Sequence, residues 1–184
     1  MIWYPLLIAA VALERVAELI ISRRNLDWSL RQGGREYGQR HFPIMVALHS
    51  GLLVACILEA ELGHRPFIAA LGWPMLALVA GAQALRWWCI ATLGTQWNTR
   101  IVVVERLPLI GTGPYRWLRH PNYVAVVVEG AALPLVHTAW ITAIAFTALN
   151  AVLLTIRIRA ENAALASLAS LAQPAPPDVS PGPA

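Results

Sequence analysis

Residues 121–156 read PNYVAVVVEGAALPLVHTAWITAIAFTALNAVLLTI, and Glu129 is the only charged residue among them. As one continuous α-helix this stretch would be roughly 54 Å long, whereas the hydrocarbon core of a bilayer is about 30 Å thick. The stretch is therefore expected to fold back on itself. The aliphatic pattern is interrupted from Pro134 to Ala139, which predicts a turn there. The sequence thus predicts a pair of membrane helices joined by a short turn.

The rest of the chain has the same apolar character. Of its 184 residues, 58% are hydrophobic and 13% are charged, against about 25% charged in soluble domains. All 14 basic residues are arginine, and the formal net charge is +4. This charge is too small and too dispersed to indicate a nucleic-acid partner. Cys56 and Cys89 lie in apolar runs without the spacing of a metal or redox site, so we expect core cysteines and no metal.

Further apolar segments predict further spans. No charge occurs between Arg40 and Glu59 or between Arg65 and Arg86. The N-terminal run has no basic residue before Arg15, so we interpret it as an uncleaved helix rather than a signal peptide. The predicted fold is an all-α, polytopic integral membrane protein with about five transmembrane helices, near residues 2–22, 41–60, 66–93, 121–136 and 139–165.

The arginines predict how the chain is oriented, because short cytoplasmic loops collect basic residues. Five arginines lie in residues 23–40 and four in residues 94–119. Both segments are expected on the cytoplasmic side of the cell (inner) membrane, with the N-terminus outside and the C-terminus inside. Residues 1–172 are expected to form a single domain, and the Pro-rich tail 173–184 is expected to be disordered.

Ionisable residues inside membrane spans mark either a functional site or paired structural groups. Glu14 and Glu18 share one helix face and would repel each other unless an arginine lies between them. Arg86 in the third span is the expected partner of one of them. Glu129 stands alone in the fourth span, where either interpretation is open.

A second polar stripe lies on the fifth helix. Asn150, Arg157 and Glu161 are spaced so that all three fall on a narrow strip of one helix face. Arg157 and Glu161 are expected at the cytoplasmic mouth of the bundle, on the same side as the densest polar motif. This position favours a functional role for them over simple ion pairing.

That motif is GTGPYRWLRHPNY, residues 111–123. Pro114 and Pro121 break regular helix, so Arg119 and His120 are expected at a sharp turn into the fourth span. Donors at a helix start, with arginine forks beside them, suit an anionic ligand group. The motif therefore predicts a cytosolic small-molecule site at the membrane surface.

Two stretches carry a resemblance to a known family. GPYRWLRHPNY resembles the G-x-Y-x-x-x-RHP-x-Y motif of the isoprenylcysteine carboxyl methyltransferase family, and RIRAE at 157–161 resembles its C-terminal R-x-x-x-E signature. The resemblance covers about residues 10–168. Patterns such as L-G-x-x-W-N-x-R-I and E-N-x-A-L further resemble a bacterial subgroup associated with polyketide synthases. Asn162 departs from the many members that have a second Glu there, which points away from the eukaryotic prenyl-protein enzymes.

The resemblance implies an integral membrane enzyme that transfers a methyl group from S-adenosylmethionine to an oxygen of a lipid-like substrate. It implies a cytoplasmic cofactor pocket formed by the C-terminal half, about residues 94–168. Arg157 would meet the substrate, Glu161 would hold the cofactor, and His120 is the best candidate base by residue type, which makes these three the expected catalytic residues. The implied cofactor-binding residues are Leu107, Pro108, Leu109, Ile110, Tyr115, His120, Pro121, Asn122, Tyr123 and Glu161.

Several substrates and activities stay open at this point. The leading hypothesis is an alkylated polyketide phenol or pyrone as the lipophilic acceptor, with functional pairing to a type III polyketide synthase. Carboxyl methylation of an isoprenylcysteine-like substrate is the first alternative. An aminolipid N-methyltransferase, an NADPH-dependent membrane reductase and a non-catalytic scaffold are the others. A water-soluble cofactor and a substrate from the surrounding membrane lipids require two entrances, so we also expect a lateral opening between helices.

Four tryptophans lie near the predicted ends of the membrane spans. They flank the predicted cytoplasmic ends of the spans, where aromatic residues commonly form a belt at the level of the lipid headgroups. An interfacial belt is therefore favoured over a stacking site for Trp87, Trp88, Trp97 and Trp117.

Overall fold

The computed structural model describes residues 2–105 and 107–171, with residues 167–171 described by their backbone alone. Within these residues the chain forms five α-helices and one two-stranded antiparallel sheet. The predicted helical architecture is confirmed, and the short sheet is an addition that the sequence did not indicate. The predicted disordered tail, 173–184, lies outside the described residues. In chain order the elements are α1 (Trp3–Arg31), β1 (Arg35–Tyr37), α2 (His41–Leu62), α3 (Ala69–Leu93), β2 (Ile101–Val103), α4 (Pro121–Leu135) and α5 (Trp140–Leu171).

Three of the helices that the structure describes are long and apolar enough to cross a membrane. Their apolar segments are His41–Leu62, Ala69–Gln96 and Trp140–Ala166. The 29-residue α1 is long enough but carries buried and half-buried charges in its middle. The 15 residues of α4 reach only roughly 22 Å, which is less than the hydrocarbon core of about 30 Å. That α1 and α4 also cross the membrane therefore stays a prediction.

The turn predicted between the last two helices is confirmed. Helix α4 ends at Leu135, α5 begins at Trp140, and Thr138 between them has a φ of 52°. The two helices pack closely because Gly130 has no side chain, so the Phe146 ring lies where a Cβ would be. This hairpin brings the start of α4 alongside the later part of α5.

The start of α5 is held by a carboxylate from another helix. Glu59 of α2 accepts hydrogen bonds from the backbone N–H groups of Ile141 and Thr142, at 3.2 and 2.7 Å. Arg65 lies 2.9 Å from the same carboxylate. The first N–H groups of a helix have no partner within the helix, so Glu59 supplies the missing acceptors.

Replacing Glu59 by Ala is therefore expected to lower the free energy of unfolding by about 1–2 kcal/mol, because α5 loses its N-terminal acceptors. Denaturing-detergent titration of the purified protein measures this change. Glu61→Ala, on the exposed side of the same helix end, is the matched control and should have little effect. Equal stabilities of the two variants would contradict the role given to Glu59.

Helix α1 extends further than expected. The segment 23–40 was expected to be an Arg-rich loop, but its first part is helical through Arg31. One polar side chain on this extension packs into the protein: Asn25 donates hydrogen bonds to the carbonyls of Gly94 and Trp97, at 3.1 and 2.7 Å. The helix continues because these buried contacts stabilise it.

The small sheet ties the same region together. Strands β1 and β2 pair antiparallel with Glu36 opposite Val102, and Arg100 lies 2.7 Å from the Glu36 carboxylate. The buried Ile101 and Val103 pack with Ala164 of α5. The ribbon therefore covers the later part of α5.

Candidate active site

A cavity of about 570 Å³ lies between the helices, within the roughly 300–1,000 Å³ typical of small-molecule sites. Its walls come from all five described α-helices, from the segment that contains β2 and from residues just before α4. Polar residues of the predicted motif and signature gather at one end, which we call the outer polar cluster. Its members are Tyr115, Arg119, His120, Asn122, Tyr123, Arg157 and Glu161.

Glu161 lies at the centre of the outer polar cluster. The Tyr123 hydroxyl donates a hydrogen bond to Glu161 Oε2 at 2.6 Å, and His120 Nδ1 lies 3.8 Å from the same oxygen. The His120 ring stacks on Tyr123 with 5.3 Å between ring centroids. The Glu161 side chain is still 30% exposed, so it can also meet a ligand. The α4–α5 hairpin thus joins two motifs that are separated in sequence.

Arg157 is held from several sides. Its Nη2 donates to the Thr99 carbonyl at 2.8 Å, its Nη1 donates to Met45 Sδ at 3.1 Å, and its guanidinium lies 5.9 Å from the Tyr123 ring centroid. The side chain is buried, and its Nε has no hydrogen-bond partner among the described residues. A guanidinium fixed in this way can present a free donor to a ligand oxygen.

Tyr115 reaches the cavity from a short 3₁₀ turn, Gly113–Arg116. Gly113 has a φ of 58°, and a Cβ there would contact Thr92, so glycine lets the turn lie against α3. The Tyr115 hydroxyl lies close to the Cys89 thiol. Burial, followed by the Cys89 contact, raises the pKa of Tyr115 well above its usual range. Tyr115 is therefore a polar lining group rather than a base.

Other predicted cofactor residues are placed differently. Pro121 and Asn122 line the cavity, and the buried Asn122 Oδ1 has no hydrogen-bond partner in the described part of the chain. Among the residues that the structure describes, the predicted stretch at 107–110 is not in the cavity wall, and its Leu109 is 82% exposed. A cofactor contact stays a prediction for Leu107, Pro108, Leu109 and Ile110.

Sequence reasoning missed the residues that hold Arg157. Thr99 and Met45 have no motif of their own, although Thr99 lies within the W-N-x-R pattern. The prediction that Trp97 belongs to an interfacial belt is wrong, because Trp97 is 2% exposed and lines the cavity. Asn25 of α1 donates a hydrogen bond to the Trp97 carbonyl, and this contact holds the segment around Trp97 against α1. The other three tryptophans, Trp87, Trp88 and Trp117, are exposed.

The charged residues of the predicted spans form one group, the inner ion network. Arg86 lies 3.5 Å from Glu18, which confirms the expected contact between α1 and α3. Arg86 also pairs with Glu129, so α4 contributes a carboxylate to the same network. Arg15 lies 2.8 Å from Glu18 and 3.6 Å from Glu129. Arg15, Glu18 and Arg86 line the cavity. The network is completed by Gln83, which accepts from Arg15 at 2.9 Å and donates to Glu14.

Residues 75–167 match the family described as the isoprenylcysteine carboxyl methyltransferase (ICMT) family. The chain belongs to this family. The matched range contains Arg157, Glu161 and the whole His120–Tyr123 run, so the resemblance seen in two short motifs is confirmed for the family. As an isoprenylcysteine carboxyl methyltransferase family member with three span-length apolar helices, the chain is a membrane methyltransferase.

Two relatives share nearly the full length of the chain. YpbQ of Bacillus subtilis (strain 168), an uncharacterized protein, is 39% identical over 166 residues, which are 90% of this chain and 96% of YpbQ. An uncharacterized protein of Haemophilus influenzae is 25% identical over 171 residues, which are 91% and 98% of the two chains. No solved structure matches the chain. Membership of the family therefore identifies the class of enzyme but does not identify the molecule that accepts the methyl group.

Proposed function

We propose that this protein transfers the methyl group of S-adenosylmethionine to an oxygen of a lipidic acceptor, an alkylated polyketide phenol or pyrone. One observation carries the proposal: one cavity has Arg157 and Glu161 at one end and a long apolar wall along parts of α1 and α2, formed by Val16, Leu19, Val46, Leu53 and Val54. A molecule with a polar ring and an alkyl chain matches such a cavity. A type III polyketide synthase would supply acceptors of this class.

The outer polar cluster suits S-adenosylmethionine, which carries an ammonium group, ribose hydroxyls and an adenine. Glu161 can accept a hydrogen bond from an ammonium or hydroxyl group, and Asn122 Oδ1 is a buried acceptor without a partner among the described residues. Tyr115, His120 and Tyr123 would line the same group. The bound cofactor would supply a methyl group on a positively charged sulfur.

The chain itself then has to align the acceptor oxygen and stabilise its negative charge. Arg157 is suited to this task because its free Nε donor lies in a buried setting where charge interactions are strong. His120 would accept the proton of a phenol, whose pKa is near 10 in water. Tyr123 keeps Glu161 in place through its hydrogen bond.

The apolar part of the cavity supports entry of the acceptor from the bilayer. Val16 of α1 and Val54 of α2 both line the cavity, and they are 53% and 56% exposed. The opening therefore lies between α1 and α2. The two Arg-rich segments meet through the Arg100–Glu36 pair, which supports placing both on one, cytoplasmic, side of the inner membrane in a five-span arrangement with the N-terminus outside.

Carboxyl methylation of an isoprenylcysteine-like acid is the second candidate. The family's description favours it, and Arg157 could orient a carboxylate without any base. The pH dependence of the rate separates the two acceptors. A phenol should react faster as the pH rises toward its pKa near 10, whereas a carboxylic acid with a pKa near 4 should show no such rise.

Glu161→Gln is expected to weaken binding of S-adenosylhomocysteine by about 10- to 100-fold, because it removes a charged hydrogen-bond acceptor. Calorimetric titration of the detergent-purified protein measures the dissociation constant, and His120→Ala is expected to weaken binding as well. Glu61→Gln, at the opposite end of the bundle, is the matched control. An unchanged dissociation constant in Glu161→Gln would remove Glu161 from the cofactor site. If the titration shows binding heat for NADPH and none for S-adenosylhomocysteine, the protein is a membrane reductase rather than a methyltransferase.

A further inference from the structure

Asn150 is a buried polar residue that the reaction at the outer polar cluster does not use. Its side chain is only 4% exposed and lines the cavity. It makes no hydrogen bond to any other residue that the structure describes. Its amide atoms are not among the fully enclosed, unpartnered polar atoms of the described residues, so the amide faces open space in the cavity, where a ligand group can reach it.

The position of Asn150 is well inside the bundle. It precedes Arg157 on α5 by about two turns, or roughly 10 Å along the helix axis. His49 of α2 lies at the same depth, because its ring contacts Phe146, one turn from Asn150, with 5.3 Å between ring centroids. On α4, Glu129 of the inner ion network is roughly 9 Å beyond Tyr123. His49, Asn150 and the charged residues Arg15, Glu18 and Arg86 line this second polar end of the cavity, and the apolar Val126 and Leu153 lie between it and the outer polar cluster along α4 and α5.

The charges at this inner end favour an uncharged ligand group. The inner ion network contains the carboxylates of Glu14, Glu18 and Glu129 against the guanidiniums of Arg15 and Arg86. These cations already have carboxylate partners, so an anionic ligand group would find no unpaired positive charge. An asparagine amide can donate and accept, which suits a hydroxyl or carbonyl oxygen.

We propose that Asn150 binds a second, uncharged oxygen of the acceptor, a hydroxyl or carbonyl group roughly 10 Å from the oxygen that is methylated. The inference rests on the proposed function and narrows its substrate class. An acceptor with such a group gains a buried hydrogen bond that a plain alkyl chain cannot make. Asn150 is then a specificity-determining residue that selects oxygenated over plain alkyl acceptors.

The test compares two synthetic ligands of the detergent-purified, full-length protein. One is a long-chain alkylphenol, and the other has a keto group in the chain about 10 Å from the phenol oxygen. Binding is followed by quenching of tryptophan fluorescence, since Trp97 lines the cavity. The wild type should bind the keto ligand about tenfold more tightly, and Asn150→Leu, which keeps the side-chain volume, should bind both equally.

Thr147→Val, one turn away on the exposed side of α5, is the matched control and should keep the tenfold preference. Asn150→Leu should not lower the thermal midpoint of unfolding, because the lost amide has no partner in the described protein. If Asn150 served only to stabilise the fold, its replacement would lower the thermal midpoint. Equal binding of the two ligands by the wild type would overturn the inference alone. Absence of binding by both ligands would overturn it together with the phenol acceptor, while the S-adenosylhomocysteine titration tests the methyltransferase itself.

Discussion

Turnover should be lost in the Arg157→Ala variant, with kcat/KM falling by about 10³-fold, while S-adenosylhomocysteine still binds. The reason is the way Arg157 is fixed: Thr99 and Met45 take two of its donors, and a third, Nε, is buried and free among the described residues. A donor that is already oriented needs no reorganisation when charge develops on the acceptor oxygen. Removing it raises the barrier to methyl transfer and leaves the contacts of Glu161 with Tyr123 intact.

The measurement pairs steady-state methyl transfer to a long-chain phenol or an isoprenylcysteine with calorimetry of S-adenosylhomocysteine. Arg159→Ala, an exposed arginine on the same helix, should leave both quantities unchanged. Arg157→Lys should recover only part of the rate, because an ammonium cannot reproduce the planar fork. Near-normal turnover of Arg157→Ala would exclude Arg157 from acting on the acceptor.

The second large effect concerns stability. Arg86→Leu is expected to lower the free energy of unfolding by about 3–5 kcal/mol, because it leaves buried carboxylates without their partner. Arg86 is 4% exposed, pairs with Glu129, and lies 3.5 Å from Glu18. Arg15 would be the remaining cation near both acids, 2.8 Å from Glu18 and 3.6 Å from Glu129, so two buried carboxylates would share one guanidinium.

The double variant Arg86→Leu/Glu129→Leu is expected to recover most of this loss. It removes both members of one pair and leaves Arg15 with Glu18, so no buried charge is uncompensated. Denaturing-detergent titrations of the single and double variants give the coupling between the two residues. Arg65→Leu, which breaks a more exposed ion pair, should lower stability by only about 0–1 kcal/mol. Equal losses in the single and double variants would show that Arg86 and Glu129 are not energetically coupled.

Much of the candidate site could be predicted because its residues lie in short, dense motifs. His120, Tyr123, Arg157 and Glu161 were all expected, and the α4–α5 hairpin brings them together. The hairpin itself follows from the length of the apolar run and its break at Pro134. The segment 94–99 was harder to place, because Trp97 and Thr99 become cavity residues only through contacts with Asn25 and Ser22 of α1. Those contacts join residues far apart in the chain, for which no local pattern exists.

The sequence by itself determined the apolar helices, the turn between the last two, and the residue types of the outer polar cluster. These properties depend on the length of uninterrupted apolar runs and on local spacing along one helix. The tertiary structure decided which charges pair in the inner ion network, what holds Arg157, and why Asn150 faces the cavity unpartnered among the described residues. These outcomes depend on the rotation and depth of each helix against its neighbours. Packing such as that of Phe146 against Gly130 sets both, and a sequence pattern does not encode them.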